Sequence, residues 1–168
     1  MPPQARAAIA RILEEEQGEN KLIHDRGGYT NWGISSRWYP HINISELSAS
    51  AAGEIYYQDY WLFNKCDKLP VAMAYVLFDA AVNQGGDFAR KTLQQVLGVK
   101  VDGIIGPKTI ETSNRTSDPF FVIQYTRYRC MRYTNLVQKD KTQIIFIEGW
   151  IDRALEILID AQLAEQKP

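Results

Sequence analysis

The sequence predicts an α+β fold, mostly helical, with one small β-hairpin near the N-terminus. Three observations predict it. Apolar residues recur at helical spacing, beginning with Ala5, Ala8, Ile9, Ile12 and Leu13. One early stretch, residues 20 to 36, breaks that pattern with Gly27-Gly28 and the strand-forming Tyr29, Thr30, Trp32 and Ile34. Helix-opening residues then follow one another: Ser45, Pro70, Asp87, Pro107 and Asp118-Pro119.

Taken in order, the first amphipathic helix runs to a stop near Gly18. Residues 20 to 36 form a small hairpin or irregular β region. Ser45 is the expected N-cap of a helix reaching about Leu62. Pro70 suits the first turn of the helix PVAMAYVLFDAAVNQ, and Asp87 caps a short helix ending at Gly98. The segment VDGIIGPKTIETSN reads as a turn and a short helix opened by Pro107. Asp118-Pro119 opens a helix rich in aromatic and basic residues, and the last helix covers roughly 143 to 165.

Bulk properties narrow the function. A length of 168 residues fits one domain, or one with a small appended lobe, and 45% apolar residues suffice for a core. Net charge is −1, without the basic field of a non-specific nucleic-acid binder or of a protein docking on anionic membranes. Two cysteines, Cys66 and Cys130, make no disulfide framework. They could pair; two free buried thiols are the simpler reading. Two histidines, widely scattered, give no metal-ligand spacing, and no cofactor is expected. No apolar run has transmembrane length, so no stable membrane insertion is expected. The N-terminus lacks the apolar core of a signal peptide, so synthesis in the cytoplasm is expected.

Chemistry centres on Glu16. It follows Leu13, Ile12 and Ile9 by three, four and seven residues, which places it on the apolar face of the first helix. Partial desolvation there, and the negative end of the helix dipole, both favour a held proton, as a general acid needs. Taken alone, its position is better explained as one of a run of surface glutamates. Asp25, nine residues on, is a second carboxylate, though alone it reads as a turn aspartate. Glycan hydrolysis uses such a pair. Thr30 could position a water or be an ordinary strand threonine. Tyr29, Trp32, Trp38 and Tyr39 crowd the same segment. Their faces suit sugar rings, but in a small domain aromatics are more often core. Tyr125, Arg127, Tyr128, Arg129, Arg132 and Tyr133 read as a core stripe with a solvated face, a wall or nucleic-acid contact being the alternative.

From Glu16 to Ile34 the chain reads E-Q-G-E-N-K-L-I-H-D-R-G-G-Y-T-N-W-G-I. This resembles the N-terminal signature of the glycoside hydrolase family 108 muramidases, many of them phage endolysins. There a Glu-Gly-Gly-Tyr motif closes the first helix and an Asp-x-Gly-Gly-x-Thr-Asn-x-Gly-Ile segment follows. This chain departs after the glutamate, with Gln17-Gly18-Glu19 in place of Gly-Gly-Tyr. The segment from Glu54 to Trp61 is similar to the family's Tyr-x-x-x-Tyr-Trp helix, and that from Phe78 to Gly85 to its Phe-Asp-x-x-Val-Asn-x-Gly stretch, with Gln84 where histidine is common. Leu93-Gln94, Leu97-Gly98-Val99, Val101-Asp102-Gly103, Ile105-Gly106-Pro107 and Thr109 look like a peptidoglycan-binding type 3 module, and the run from Gly149 to Arg153 is similar to its closing helix. The resemblance covers about residues 8 to 155.

The resemblance implies a lysozyme-like fold, with residues 1–85 catalytic and residues 86–168 a peptidoglycan-binding region packed into the same globule. It implies hydrolysis of the β-1,4 bond between N-acetylmuramic acid and N-acetylglucosamine, leading to bacterial lysis. Glu16 becomes the acid, Asp25 the second carboxylate and Thr30 a third catalytic residue; the order Glu, Asp, Thr also resembles the trio of phage lysozymes. Tyr29, Asn31, Trp32, Asn83 and Gln84 are the candidate substrate contacts. The expected partner is peptidoglycan, not nucleic acid, and the expected state a monomer acting in the periplasm or wall after holin-dependent release. A lytic transglycosylase and a non-catalytic wall-binding protein are the alternatives.

Overall fold

The computed structural model describes residues 1–17, 29–116, 118 and 120–165. The expected Gly27-Gly28 turn, Asp25 and Pro119 lie outside them. The fold is α+β and mostly helical, with a two-stranded antiparallel sheet. The chain divides into two compact units, Met1–Trp61 and Leu62–Pro168.

In the first unit, helix α1 (Pro3–Gln17) buries Ala5, Ala8, Ile9 and Ile12, the face its spacing predicts. It packs on α2 (Ala49–Ile55), where a Cβ added at Gly53 would lie 3.6 Å from both Ile9 Cγ2 and Leu13 Cδ1. Between them runs the hairpin of β1 (Thr30–Asn31) and β2 (Ile34–Ser35), with Thr30 opposite Ser35 and Asn31 opposite Ile34. The expected cap at Ser45 is displaced. Ser45 lies in a 3-10 turn (Ile44–Glu46) and its hydroxyl donates to Asn43 Oδ1 at 2.7 Å. The backbone at Leu47 is extended, which stops helix growth from that turn. Ser48 is the actual cap, its Oγ accepting the Ala51 N–H at 3.2 Å. From α2 the helix continues to Leu62, as expected, but widens into a π-helical segment (Tyr56–Leu62).

In the second unit, α3 (Val71–Gln84) is buried on most of its faces. It contacts α4 (Gly86–Leu97), α6 (Phe120–Lys139) and α7 (Ile147–Glu165), while α5 (Pro107–Arg115) lies against α4. Pro70 opens α3 and Pro107 sits in the first turn of α5, both as their fixed φ allows. Asp87 does not cap α4. Gly85, at φ +91°, holds that position, and Asp87 sits in the first turn paired with Lys91 at 2.9 Å. Gly98 ends α4 in the left-handed conformation. Asp118 accepts the Phe120 N–H at 2.8 Å ahead of α6. A 3-10 turn (Lys141–Phe146) precedes α7.

The buried stripe of α6 contains a charge. Tyr125, Arg129, Tyr133 and Val137 recur every four residues and are all buried. Arg129 donates to Asp79, which also accepts two hydrogen bonds from Arg153, at 3.0 and 2.7 Å. One carboxylate on α3 thus ties α6 and α7 together. Removing one member of such a group leaves charge buried without its partner, so the three residues hold as a set. Cys66 and Cys130 are both free; Cys66 is buried and Cys130 half-buried, and burial pushes both thiols up.

Candidate active site

Glu16 closes the last turn of α1, half-buried. Its carboxyl lies against the tip of the hairpin. Trp32 and Gly33 form that tip, with φ of +52° and +72°. Two consecutive left-handed residues in a two-residue loop match a type I′ turn, whose twist suits the flanking strands. At Gly33 an added Cβ would lie 2.8 Å from Glu16 Cδ, 3.0 Å from Glu16 Oε2 and 2.5 Å from Tyr56 Oη. Only glycine leaves room there for both the carboxyl and the phenol.

The turn is anchored from several sides. The Tyr56 hydroxyl donates to the Trp32 carbonyl at 2.9 Å. The Trp32 indole N–H donates to the Leu47 carbonyl at 2.9 Å, and the Asn31 amide donates to the Ile44 and Leu47 carbonyls at 3.0 and 3.3 Å. These bonds hold Trp32 in a conformation that costs a non-glycine residue about 1–2 kcal/mol. Tyr56 also meets the Tyr60 ring, with centroids 5.5 Å apart. Farther along, Tyr39 donates to Asp59 Oδ2 at 2.8 Å. Burial, then that bond, raises the Tyr39 phenol, and burial also raises Tyr60.

The predicted residues sort as follows. The structure brings Glu16 to the turn formed by Trp32 and Gly33, with Asn31 and Thr30 in the strand behind it. The polar groups of Asn31 and Trp32 brace the 44–47 segment. Tyr29 is half exposed, its backbone paired with Ser36. Trp38 is 76% exposed, with the Arg37 guanidinium 5.7 Å from its ring centre. Asp25 lies outside the described residues. In the second unit, Asn83 accepts from the Tyr133 hydroxyl, and the buried Gln84 exchanges hydrogen bonds at 3.2 Å with the Arg129 carbonyl and Nε. Sequence reasoning does not single out Gly33 or Tyr56 as neighbours of Glu16. A glycine between two short runs of strand formers is the signal for Gly33; Tyr56 opens the Tyr-x-x-x-Tyr-Trp stretch, but nothing in that stretch ties it to Glu16.

Among the described residues no cluster of His, Cys, Asp and Glu could hold a metal ion, and no helix is long and apolar enough to cross a membrane.

Known proteins extend this picture. Residues 9–85 match the family model Glycosyl hydrolase 108, and residues 88–155 match a predicted peptidoglycan domain. Among solved structures, that of Brucella abortus SagA superposes with a TM-score of 0.81 at 26% identity, over 97% of this chain and 96% of that one. No curated protein matches the chain. A glycosyl hydrolase region followed by a peptidoglycan domain makes a glycoside hydrolase whose substrate is peptidoglycan. The chain thus carries a glycosyl hydrolase 108 match over residues 9–85 followed by a predicted peptidoglycan domain match over residues 88–155, the domain types and order that the sequence resemblance implies.

Proposed function

We propose that the chain is an N-acetylmuramidase that cleaves the β-1,4 bond between N-acetylmuramic acid and N-acetylglucosamine, with Glu16 as its acid. The observation that carries this reading is the seat of Glu16: a carboxyl at a helix end, held against a left-handed turn whose second position has room only for glycine, inside the region matched to a glycosyl hydrolase family. Protonated Glu16 gives its proton to the bridging oxygen as the bond from that oxygen to C1 of the muramic acid breaks. Water adds to C1 and leaves a reducing N-acetylmuramic acid end. Asp25 orients that water or balances positive charge on the sugar, and Thr30 helps to place the water. The exposed rings of Tyr29 and Trp38 offer faces to sugar rings, and Asn31 and Trp32 shape the wall beside them. Residues 1–85 act as the catalytic region and residues 86–168 hold the wall, where cleavage leads to lysis.

The test compares wild type with Glu16→Gln on purified peptidoglycan, with mass spectrometry of the soluble products. Reducing N-acetylmuramic acid ends released by wild type alone are the expected result. Anhydro ends would make the chain a lytic transglycosylase. Equal release by Glu16→Gln would remove Glu16 from the reaction, and no release by either folded protein would leave a wall-binding protein.

A further inference from the structure

The buried stripe accounts for Tyr125, Arg129 and Tyr133 but leaves Tyr128 and Arg132 on another face of α6. With Phe88 of α4, and with Met131, Leu136 and Lys139, they line an open groove of about 360 Å³. The lining carries two cations and no carboxylate. The nearest acidic neighbours in sequence are engaged elsewhere: Asp87 with Lys91, and Asp140 with Thr142. Arg132 is fixed in place. Its guanidinium stacks 4.3 Å from the Phe88 ring centre and Nη2 donates to the Gln84 carbonyl at 3.3 Å. That carbonyl belongs to the last residue of α3, where a cation also meets the negative end of the helix dipole. Among the described residues, the buried Nε of Arg132 has no hydrogen-bond partner.

The chemistry of the groove is that of a site for an anionic peptide. Fixed Arg132 and exposed Lys139 would take carboxylates, Met131 and Leu136 would take methyl groups, and Asn135 adds an amide. Arg132 and Lys139 are seven residues apart on one helix, a rise of about 10 Å. An extended peptide covers that distance in about three residues. Peptidoglycan stems carry carboxylates with that spacing: the free α-carboxylate of the γ-linked D-glutamate at the second position and the C-terminus of the fifth. Alanine methyls occupy the stem's first, fourth and fifth positions.

We propose that the α4–α6 groove binds the stem peptide of peptidoglycan through Arg132 and Lys139, so that this region grips peptide while the glycan is cut elsewhere. The proposal rests on the peptidoglycan reading above, yet the two fail separately, because peptide binding needs no bond cleavage.

The experiment is calorimetric titration of the full chain with synthetic L-Ala-γ-D-Glu-L-Lys-D-Ala-D-Ala and with the same pentapeptide bearing amides for both carboxylates. Wild type should bind the acidic peptide at least about tenfold more tightly than the amide form, the size of effect one charge-assisted hydrogen bond carries. Arg132→Gln and Lys139→Gln should each weaken binding by a similar factor, with thermal midpoints confirming folding. Should Arg132→Gln fail to fold, having lost its stacking on Phe88, the exposed Lys139→Gln still decides. No binding by wild type, equal binding of the amide peptide, or unchanged affinity in Lys139→Gln would overturn the proposal. Displacement of the peptide by a short single-stranded oligonucleotide would assign the groove to nucleic acid and overturn it as well. A wild type that cuts walls but ignores the pentapeptide sinks this inference alone.

Discussion

Gly33→Ala is the sharpest probe of how Glu16 is held. The new Cβ meets two separate costs. Alanine at φ +72° carries roughly 1–2 kcal/mol of backbone strain. The methyl also arrives 2.5 Å from Tyr56 Oη and 2.8 Å from Glu16 Cδ, an overpacking worth about 1–3 kcal/mol. The sum is about 2–5 kcal/mol in urea denaturation of the full chain. Gly98→Ala separates the two costs, because Gly98 is left-handed at φ +66° but has open space around its Cβ. It should lose only the backbone part. In a double-mutant cycle, Tyr56→Phe removes the closer clashing atom, so Gly33→Ala should cost less in that background. On the proposed role of Glu16, activity is expected to fall as well, by about 100-fold, the cost of displacing a catalytic group by about 1 Å. The assay is release of soluble fragments from peptidoglycan at a temperature where the variant is folded. A Gly33→Ala protein no less stable than Gly98→Ala, and cleaving at the wild-type rate, would refute the claim that this glycine seats the carboxyl.

Three further outcomes are expected. Asp79→Asn should lower unfolding free energy by about 3–5 kcal/mol, because Arg129 and Arg153 lose the one charge they share; chemical denaturation measures it. Ser48→Ala should cost about 1 kcal/mol while Ser45→Ala costs little, since only Ser48 caps a helix. The raised Tyr39 phenol stabilises the fold in its protonated form. That contribution is complete below its ordinary pKa of about 10 and is lost as pH rises through the higher folded value. Denaturation midpoints should therefore fall above about pH 10, and less steeply in Tyr39→Phe.

Local chemistry made much of the helical frame legible. Pro70, Gly98 and Pro107 mark their boundaries because the backbone geometry each requires is intrinsic to the residue. The two serines show where that logic stops. Ser45 and Ser48 are equally good caps, and the choice between them falls to the extended backbone at Leu47, which holds its carbonyl toward Asn31 and Trp32. The apolar spacing around Glu16 predicts a carboxyl on the inner face of α1. Its neighbours Gly33 and Tyr56 come from segments far along the chain, so periodicity cannot supply them. Arg129 shows the same limit. Its spacing with Tyr125 and Tyr133 puts it in a core stripe, but its tolerance there depends on Asp79 and Arg153, 50 and 24 residues away. Nor does the aromatic and basic run announce its division; the second face becomes a groove only because α4 brings Phe88 beneath Arg132.

One side chain makes four hydrogen bonds to the loop before α5. Gln94 is buried, its amide nitrogen donating to Asp102 Oδ1 and the Ile104 carbonyl at 2.8 and 2.9 Å. Its oxygen accepts the backbone N–H groups of Asp102 and Gly103 at 3.0 and 2.7 Å. These bonds use both donors and both acceptor positions of a glutamine. A glutamate there would set one carboxylate against another and against a carbonyl; a shorter asparagine would not span the distance. A change at position 94 or 102 is therefore expected to need a matching change at the other, so that drift at this corner of the molecule would proceed in paired steps.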